Sequence, residues 1–271
     1  MAADSPACRP SDVCLPSPLY ELADERCCGK GVRVYLKRDD LIHPDMPGNK
    51  WRKLKYNVVA AKDQGYRRLL TFGGAFSNHV RAVAAAGRIW GFDTVGVIRG
   101  EERLPLNDTL AYAASQGMVL TYMDRSEYRQ KTDPAVVSRL LAQFGPCYVI
   151  PEGGSNALAV RGCAELPAEI ALNFDVICCA CGTGGTLAGI AAGVDGNGAR
   201  ALGFAVLKGG EFLNEDVQRL QCDAYGAATG NWSIECGFHF GGYARKTAAL
   251  DAFVADFKAR AWRGSGLGLR S

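Results

Sequence analysis

Short apolar runs alternate with longer amphipathic ones along the chain. The segment VRVYLKRD at 32–39 alternates apolar and polar positions with period two, which predicts a strand. Residues 50–64 follow with helical spacing. The same reading predicts strands at 68–74 (RLLTFGG), 94–100 (TVGVIRG), 118–124 (MVLTYMD), 147–154 (CYVIPEGG), 175–182 (DVICCACG) and 201–207 (ALGFAVL). Between them it predicts helices at 77–90, 106–116 and 134–144, one ending near 171, one from Gly185, one near 212–221 and a last one near 247–259. Such alternation implies an α/β fold whose mainly parallel sheets are covered on both faces. No internal repeat and no Pro/Gly/Ser-rich linker stands out, so two domains would be interwoven rather than strung out.

Ligands of open parallel sheets sit beyond the carboxyl ends of the strands. Here those ends carry three glycine-rich turns: GGAFSNH (73–79), PEGGSN (151–156) and CGTGGT (181–186). Three such turns after strands suggest one pocket lined by backbone.

Composition adds exclusions. The chain has 271 residues, 48% hydrophobic and 22% charged, which is ordinary for a globular protein. A net charge of +3, from 31 Lys+Arg against 28 Asp+Glu, argues against nucleic acid or an anionic membrane as partner. The N-terminus has no charged start followed by an apolar core, and no apolar run reaches the roughly 18–20 residues of a membrane span, so a cytoplasmic location is expected. The 11 cysteines are expected to be buried free thiols. Cys178 and Cys181 have C-x-x-C spacing, but no second pair accompanies them, and no metal site is expected.

The segment DVICCACGTGGTLAGIAAGV reads as strand, glycine turn and small-residue helix. Gly182, Gly184 and Gly185 let a ligand approach the backbone, Thr183 and Thr186 add hydroxyls, and the helix start adds free N–H groups. The dinucleotide pattern G-x-G-x-x-G fails because Leu187 stands at the third glycine, and no G-K-[ST] of a P-loop follows. A compact monophosphate such as that of pyridoxal phosphate suits the loop; a tight turn that binds nothing is the alternative.

In PGNKWRKLKY (47–56), Asn49 reads as an N-cap and Lys50 as the first helical residue. The helix dipole and the cations Arg52 and Lys53 would disfavour the Lys50 ammonium and favour the neutral amine a Schiff base needs. Lys50 and Lys53 share a helix face, and Lys55 points elsewhere. A solvated basic face is the alternative. Ser77 and Asn78 would present a hydroxyl and an amide at another helix start, or Ser77 would be a plain cap.

The blocks LKRDDLIHPDMPGNKWRKLKY, TFGGAFSNHVRAVAAAG, IPEGGSNALAVRG and CGTGGTLAGI, in this order, resemble the 1-aminocyclopropane-1-carboxylate deaminase/D-cysteine desulfhydrase family. These are fold-type-II pyridoxal-phosphate enzymes of the tryptophan-synthase-β-like group, and the resemblance runs from about residue 14 to about 260. It implies two interwoven three-layer αβα domains: 1–53 with 152–271 for the cofactor, and a smaller inserted 54–151. It implies that Lys50 carries the pyridoxal 5'-phosphate, Lys53 lies near its phosphate, residues 182–186 form the phosphate loop, and Asn78 bonds the ring hydroxyl. Ser77 matches a serine at the substrate carboxylate with a nucleophilic or proton-transfer role, and Tyr243 in GGYAR matches an active-site tyrosine. His79 stands where the deaminases tend to have glutamine and the desulfhydrases histidine. The implied activity is deamination or β-elimination of a small amino acid: D-cysteine to pyruvate, ammonia and sulfide, or 1-aminocyclopropane-1-carboxylate to 2-oxobutanoate and ammonia. A homodimer is implied too.

Members of that family continue with a segment like G-[IV]-x-L-[DE]-x-V-Y, whereas this chain ends FKARAWRGSGLGLRS. In degenerate codons, AWRGSGLGLRS read one base later can spell [HR]-G-V-A-L-D-W-V-Y-V. The expectation is therefore a shifted frame near Ala261, with a genuine short tail as the alternative; for function, a truncated, inactive cofactor-binding relic is the alternative to the enzyme. A nucleotide-dependent oxidoreductase is the remaining alternative, disfavoured by Leu187 and the Lys50 context.

Overall fold

The computed structural model describes residues 13–22, 24–242 and 245–265, with only the backbone of 261–265; Tyr243 and the tail 266–271 lie outside it. In chain order come β1 (Leu19–Leu22), α1 (Glu25–Cys28), β2 (Val34–Lys37), α2 (Lys50–Asp63), β3 (Arg68–Gly73), α3 (Asn78–Trp90), β4 (Asp93–Arg99) and α4 (Asp108–Ser115). They are followed by β5 (Val119–Met123), α5 (Arg125–Tyr128), α6 (Pro134–Phe144), β6 (Tyr148–Ile150), α7 (Ala157–Ala164), β7 (Val176–Cys181), α8 (Gly185–Gly193), β8 (Arg200–Ala205), α9 (Leu213–Tyr225), β9 (Trp232–Glu235) and α10 (Ala248–Ser265).

Local chemistry fixes the ends. The carboxylate of Asp133 caps α6, and Pro134 takes its first turn, where a missing N–H costs nothing. Ser77 caps α3, which stops at Gly91 in the left-handed region, φ 75°. The helix expected to reach about 171 ends instead at Ala164, and a separate 3-10 turn at Pro167–Glu169 begins on a proline.

β3, β4, β5 and β6 form one all-parallel sheet in the order β5-β4-β3-β6. Successive side chains of β3 go to opposite faces. Leu69 packs with Trp51, Val58, Val80 and Val83 of α2 and α3. Leu70 and Phe72 pack with Tyr128, Val136 and Leu140 of α5 and α6. This is the helix–sheet–helix sandwich that near-continuous apolar strands predict. β7, β8 and β9 form a second parallel sheet, and α8 and α9 bury Leu187, Ile190, Val217 and Leu220 against Cys181, Ala201 and Ala205. On its other face Val176 and Cys178 are exposed. β1 and β2 pair antiparallel.

The fold class is thus α/β with mainly parallel sheets. The boundary expected at 53/54 falls inside the continuous helix α2, whose side chains join the core of the first sheet while its backbone packs on α7.

The cysteines differ from expectation. Cys147, Cys163 and Cys181 are buried, but Cys14, Cys28, Cys178 and Cys222 are exposed. On β7 the period of two sends Cys178 and Cys181 to opposite faces, so the C-x-x-C spacing brings no pair together; Cys179 and Cys181 are the neighbours, Sγ to Sγ 4.0 Å. Among the described residues no helix is long and apolar enough to cross a membrane.

Candidate active site

The glycine turns expected to converge do so around the start of α2. Lys53 is 2% exposed. Its Nζ donates to the Gly153 carbonyl at 2.9 Å, to Ser155 Oγ at 2.9 Å and to Thr183 Oγ1 at 3.4 Å. Ser155 Oγ and Thr183 Oγ1 share a hydrogen bond of 2.5 Å. One ammonium thus ties α2 to the turns after β6 and β7. Burial pushes Lys53 below the usual lysine range.

Gly184, φ 72°, adopts the left-handed conformation that starts α8, and a Cβ there would meet Val217 Cγ2 at 2.8 Å. A Cβ on Gly185 would lie 2.7 Å from Ser155 Oγ and 3.1 Å from Lys53 Nζ. The Gly185 N–H donates to the Thr183 carbonyl at 2.9 Å, and the start of α8 lies beside two hydroxyls and the buried Lys53 amine, a setting that suits an anion.

Lys50 opens α2 as expected, but Asn49 does not cap it. Asn49 holds helical backbone angles, φ −69° and ψ 0°, and makes no capping bond. Its Nδ2 instead donates to Thr186 Oγ1 at 2.6 Å, joining the start of α2 to the phosphate loop. Lys50 is half-buried at the start of α2. Burial lowers it to about 7, with repulsion from Lys53 second. Arg52 was expected to share in that repulsion. Its guanidinium is turned away and held by Asp39 and Glu169. Lys55 pairs with Glu165, away from the cleft as expected.

Ser77 is half-buried and Asn78 exposed at the start of α3. Ser77 Oγ accepts from the Val80 N–H at 3.3 Å, so the plain capping role is present. His79 is 2% exposed rather than on the cleft surface. The hydroxyl of Thr71 donates to the Ile150 carbonyl at 2.9 Å, so it accepts from His79 Nε2–H at 2.8 Å. His79 Nδ1 has no hydrogen-bond partner of ordinary geometry among the described residues, and the Pro151 backbone lies near the ring. Burial, then the charges of Lys50 and Lys53, hold His79 well below its ordinary range. Gly154, φ 67°, packs on this ring; a Cβ there would meet His79 Cε1 at 2.9 Å and Lys53 Cβ at 3.6 Å.

The structure therefore gathers Lys50, Lys53, His79, Ser155, Thr183, Gly185 and Thr186 about one cleft. Sequence reasoning missed Ser155 and Thr71. The serine that follows the glycines in PEGGSN was a usable signal; Thr71, inside an apolar strand, gave none.

Residues 11–217 match the family model described as "Pyridoxal-phosphate dependent enzyme". The chain belongs to this family. A Thermotoga maritima protein, provisionally named a 1-aminocyclopropane-1-carboxylate deaminase, is 38% identical over 171 residues, 60% of this chain and 54% of that one. An Arabidopsis thaliana protein, "Bifunctional D-cysteine desulfhydrase/1-aminocyclopropane-1-carboxylate deaminase, mitochondrial", is 32% identical over 210 residues, 70% of this chain and 52% of that one. The crystal structure of an ACC deaminase homologue superposes with a TM-score of 0.78 at 26% identity, covering 93% of this chain and 80% of that one. The chain spans a little over half the length of these two curated relatives. The fold is that of fold-type-II pyridoxal-phosphate enzymes.

The donor set fits the family's cofactor. An amine that is half neutral near pH 7 suits an aldehyde, and the α8 start with Thr183, Thr186 and Ser155 suits a phosphate. A phosphate dianion would also stabilise on Lys53 the charge that burial disfavours.

Proposed function

We propose that this chain holds pyridoxal 5'-phosphate on Lys50 and deaminates a small amino acid with loss of a β-substituent, D-cysteine first and 1-aminocyclopropane-1-carboxylate second. The observation that carries the reading is Lys50 itself, a lysine lowered to about 7 at the helix start that Asn49 ties to the phosphate loop. Lys53, Ser155, Thr183, Gly184, Gly185, Thr186 and Gly182 would hold the phosphate, and Asn78 the ring hydroxyl. Bound there, the cofactor supplies an electron sink for a carbanion at the substrate α-carbon.

The remaining work falls to side chains of this chain. Lys50 would be the base that takes the substrate α-proton, and the burial that disfavours its ammonium form suits that role. Ser77 binds the substrate carboxylate at the start of α3, whose dipole favours an anion. It is the candidate for returning a proton. His79, fixed by Thr71 and covered by Gly154, would back the site without adding charge beside a cationic substrate. His79, and the name of the Arabidopsis relative, support D-cysteine as the first substrate. Tyr243 is proposed as a further active-site group on the resemblance alone.

The same reading assigns 1–53 with 152–271 to the cofactor domain and 54–151 to the smaller one, and a homodimer to the assembled enzyme. The test is product formation. With pyridoxal phosphate present, D-cysteine should yield pyruvate and sulfide in equal amounts, measured by lactate-dehydrogenase coupling and by methylene blue. Cofactor bound, with no oxo acid from either amino acid, would reduce the chain to a binding relic.

A further inference from the structure

Arg52 is 1% exposed, lies two residues from Lys50 and has no part in the chemistry above. At 100° per residue it projects about 200° around α2 from Lys50, on the far side of the helix from the cleft. Its guanidinium makes two paired contacts: Nε and Nη2 donate to Asp39 Oδ2 and Oδ1 at 2.7 and 2.9 Å, and Nη1 and Nη2 to Glu169 Oε1 and Oε2 at 2.7 and 2.9 Å. The cluster closes around Ser17. The Ser17 hydroxyl donates to Asp39 Oδ1 at 2.7 Å, and its N–H to Glu169 Oε2 at 3.2 Å. Lys37 Nζ donates to the Ser17 carbonyl at 2.6 Å and to Glu169 Oε2 at 2.9 Å. Two cations thus meet two carboxylates, and the cluster is neutral as a whole.

The same turn of α2 is gripped on two further sides. Gly162 of α7 lies so close that a Cβ there would run into the Arg52 carbonyl oxygen, and Asn49 bonds Thr186. Asp39 and Glu169 therefore converge on the Arg52 side chain, Ser17 and Lys37 brace those carboxylates, and the Arg52 backbone continues into the turn that carries Lys50.

We propose that Arg52 is a positioning residue: its double fork on Asp39 and Glu169 fixes the roll of the first turn of α2 and so holds Lys50 inward beside the phosphate loop. The proposal rests on the reading of Lys50 as the cofactor lysine for its functional meaning, but its geometry stands apart from that reading. A planar fork is required, because a lysine offers one point of charge and cannot engage both carboxylates in pairs.

The test uses the cofactor-free full chain. Lys50 is acetylated with acetic anhydride across pH 5–10, and its labelling is read by peptide mass spectrometry. The groups facing Lys50 are Lys53 on its own helix, Cys163 on α7 and His79 on α3, and all stay in place. The unsubstituted chain should label with a midpoint near 7. Arg52→Met, combined with Asp39→Asn and Glu169→Gln so that no carboxylate is stranded, should raise the midpoint by at least one pH unit. It should also weaken pyridoxal-phosphate binding about tenfold or more. Arg52→Lys, which keeps the charge but not the fork, should move the midpoint the same way by less, and carries the test if the triple variant does not fold. A fall in melting temperature with the Lys50 midpoint unmoved would overturn the proposal and leave Arg52 a structural residue. Failure of Lys50 to hold the cofactor would sink the functional reading and leave this midpoint test intact.

Discussion

Replacing Lys50 with methionine should make the cofactor-free protein more stable, and more so in acid than in base. The folded-state value of about 7 lies below the ordinary lysine value of 10.5, so between these pH values the unfolded chain binds a proton that the folded one does not. Stability then rises with pH across that window, and the penalty of burying Lys50 is complete only below about pH 7. At 1.36 kcal/mol per pH unit of difference, the penalty is ~5 kcal/mol at pH 6 and falls to ~2 kcal/mol at pH 9. Lys50 is half-buried, and water reaching it discounts both figures, so the expected pH-dependent part is ~1–2 kcal/mol. Methionine has a similar length and carries no proton, so any packing change it makes is the same at each pH. The assay is urea unfolding followed by tryptophan fluorescence, in both proteins, at pH 6 and pH 9. A stability gap that narrows by ~1–2 kcal/mol toward pH 9 is the expected result. A gap independent of pH would refute the buried, neutral lysine, whatever its overall size.

Three further outcomes follow from the same geometry. Glu169, held down to about 2 against desolvation by its bonds to Arg52 and Lys37, contributes stability that is complete above the ordinary carboxylate value of 4.5 and is lost as pH falls through about 2; Glu169→Gln should flatten that acid limb in a pH-denaturation curve and cost ~3 kcal/mol at neutral pH. Gly185→Ala places a methyl 2.7 Å from Ser155 Oγ and 3.1 Å from Lys53 Nζ, so fluorescence titration should show pyridoxal-phosphate affinity at least ~10-fold weaker. Thr71→Val removes the acceptor of His79 Nε2–H inside the protein and should cost ~1–3 kcal/mol of stability in urea, with the loss absent when His79 is also replaced by an apolar residue.

Much of the fold was legible because period and punctuation agree. Helix α6 was read residue for residue: Asp133 and Pro134 open it and Gly145 follows it. The apolar strands of both parallel sheets were found within a few residues for the same reason. The four-residue strands β1 and β9 were missed, since LYEL and WSIE are too short to show a period. In the site, Lys50, Lys53 and the glycine turns were visible as residue types at strand ends. The reason the Lys50 ammonium is disfavoured was legible only in part: the sequence suggested the dipole, Arg52 and Lys53, and the fold keeps Lys53, removes Arg52 and adds burial as the larger cause. Arg52 could not be read because its carboxylates lie 13 residues before it and 117 after it. Asn49 looked like a cap by type, and tertiary contact with Thr186, 137 residues away, outweighed that preference. Cys178 and Cys181 show the converse: a spacing of three on a strand already places them on opposite faces, so their separation could have been read from sequence.

The central claim is that Lys50, rather than its buried neighbour Lys53, carries the cofactor. Pyridoxal phosphate is added to the purified chain, the visible spectrum is recorded, and the sample is reduced with borohydride, digested and mapped by mass spectrometry. A visible band near neutral pH with the reduced pyridoxyl group on Lys50 alone is the expected result. Label on Lys53, or a folded sample with no band and no labelled lysine, would contradict it.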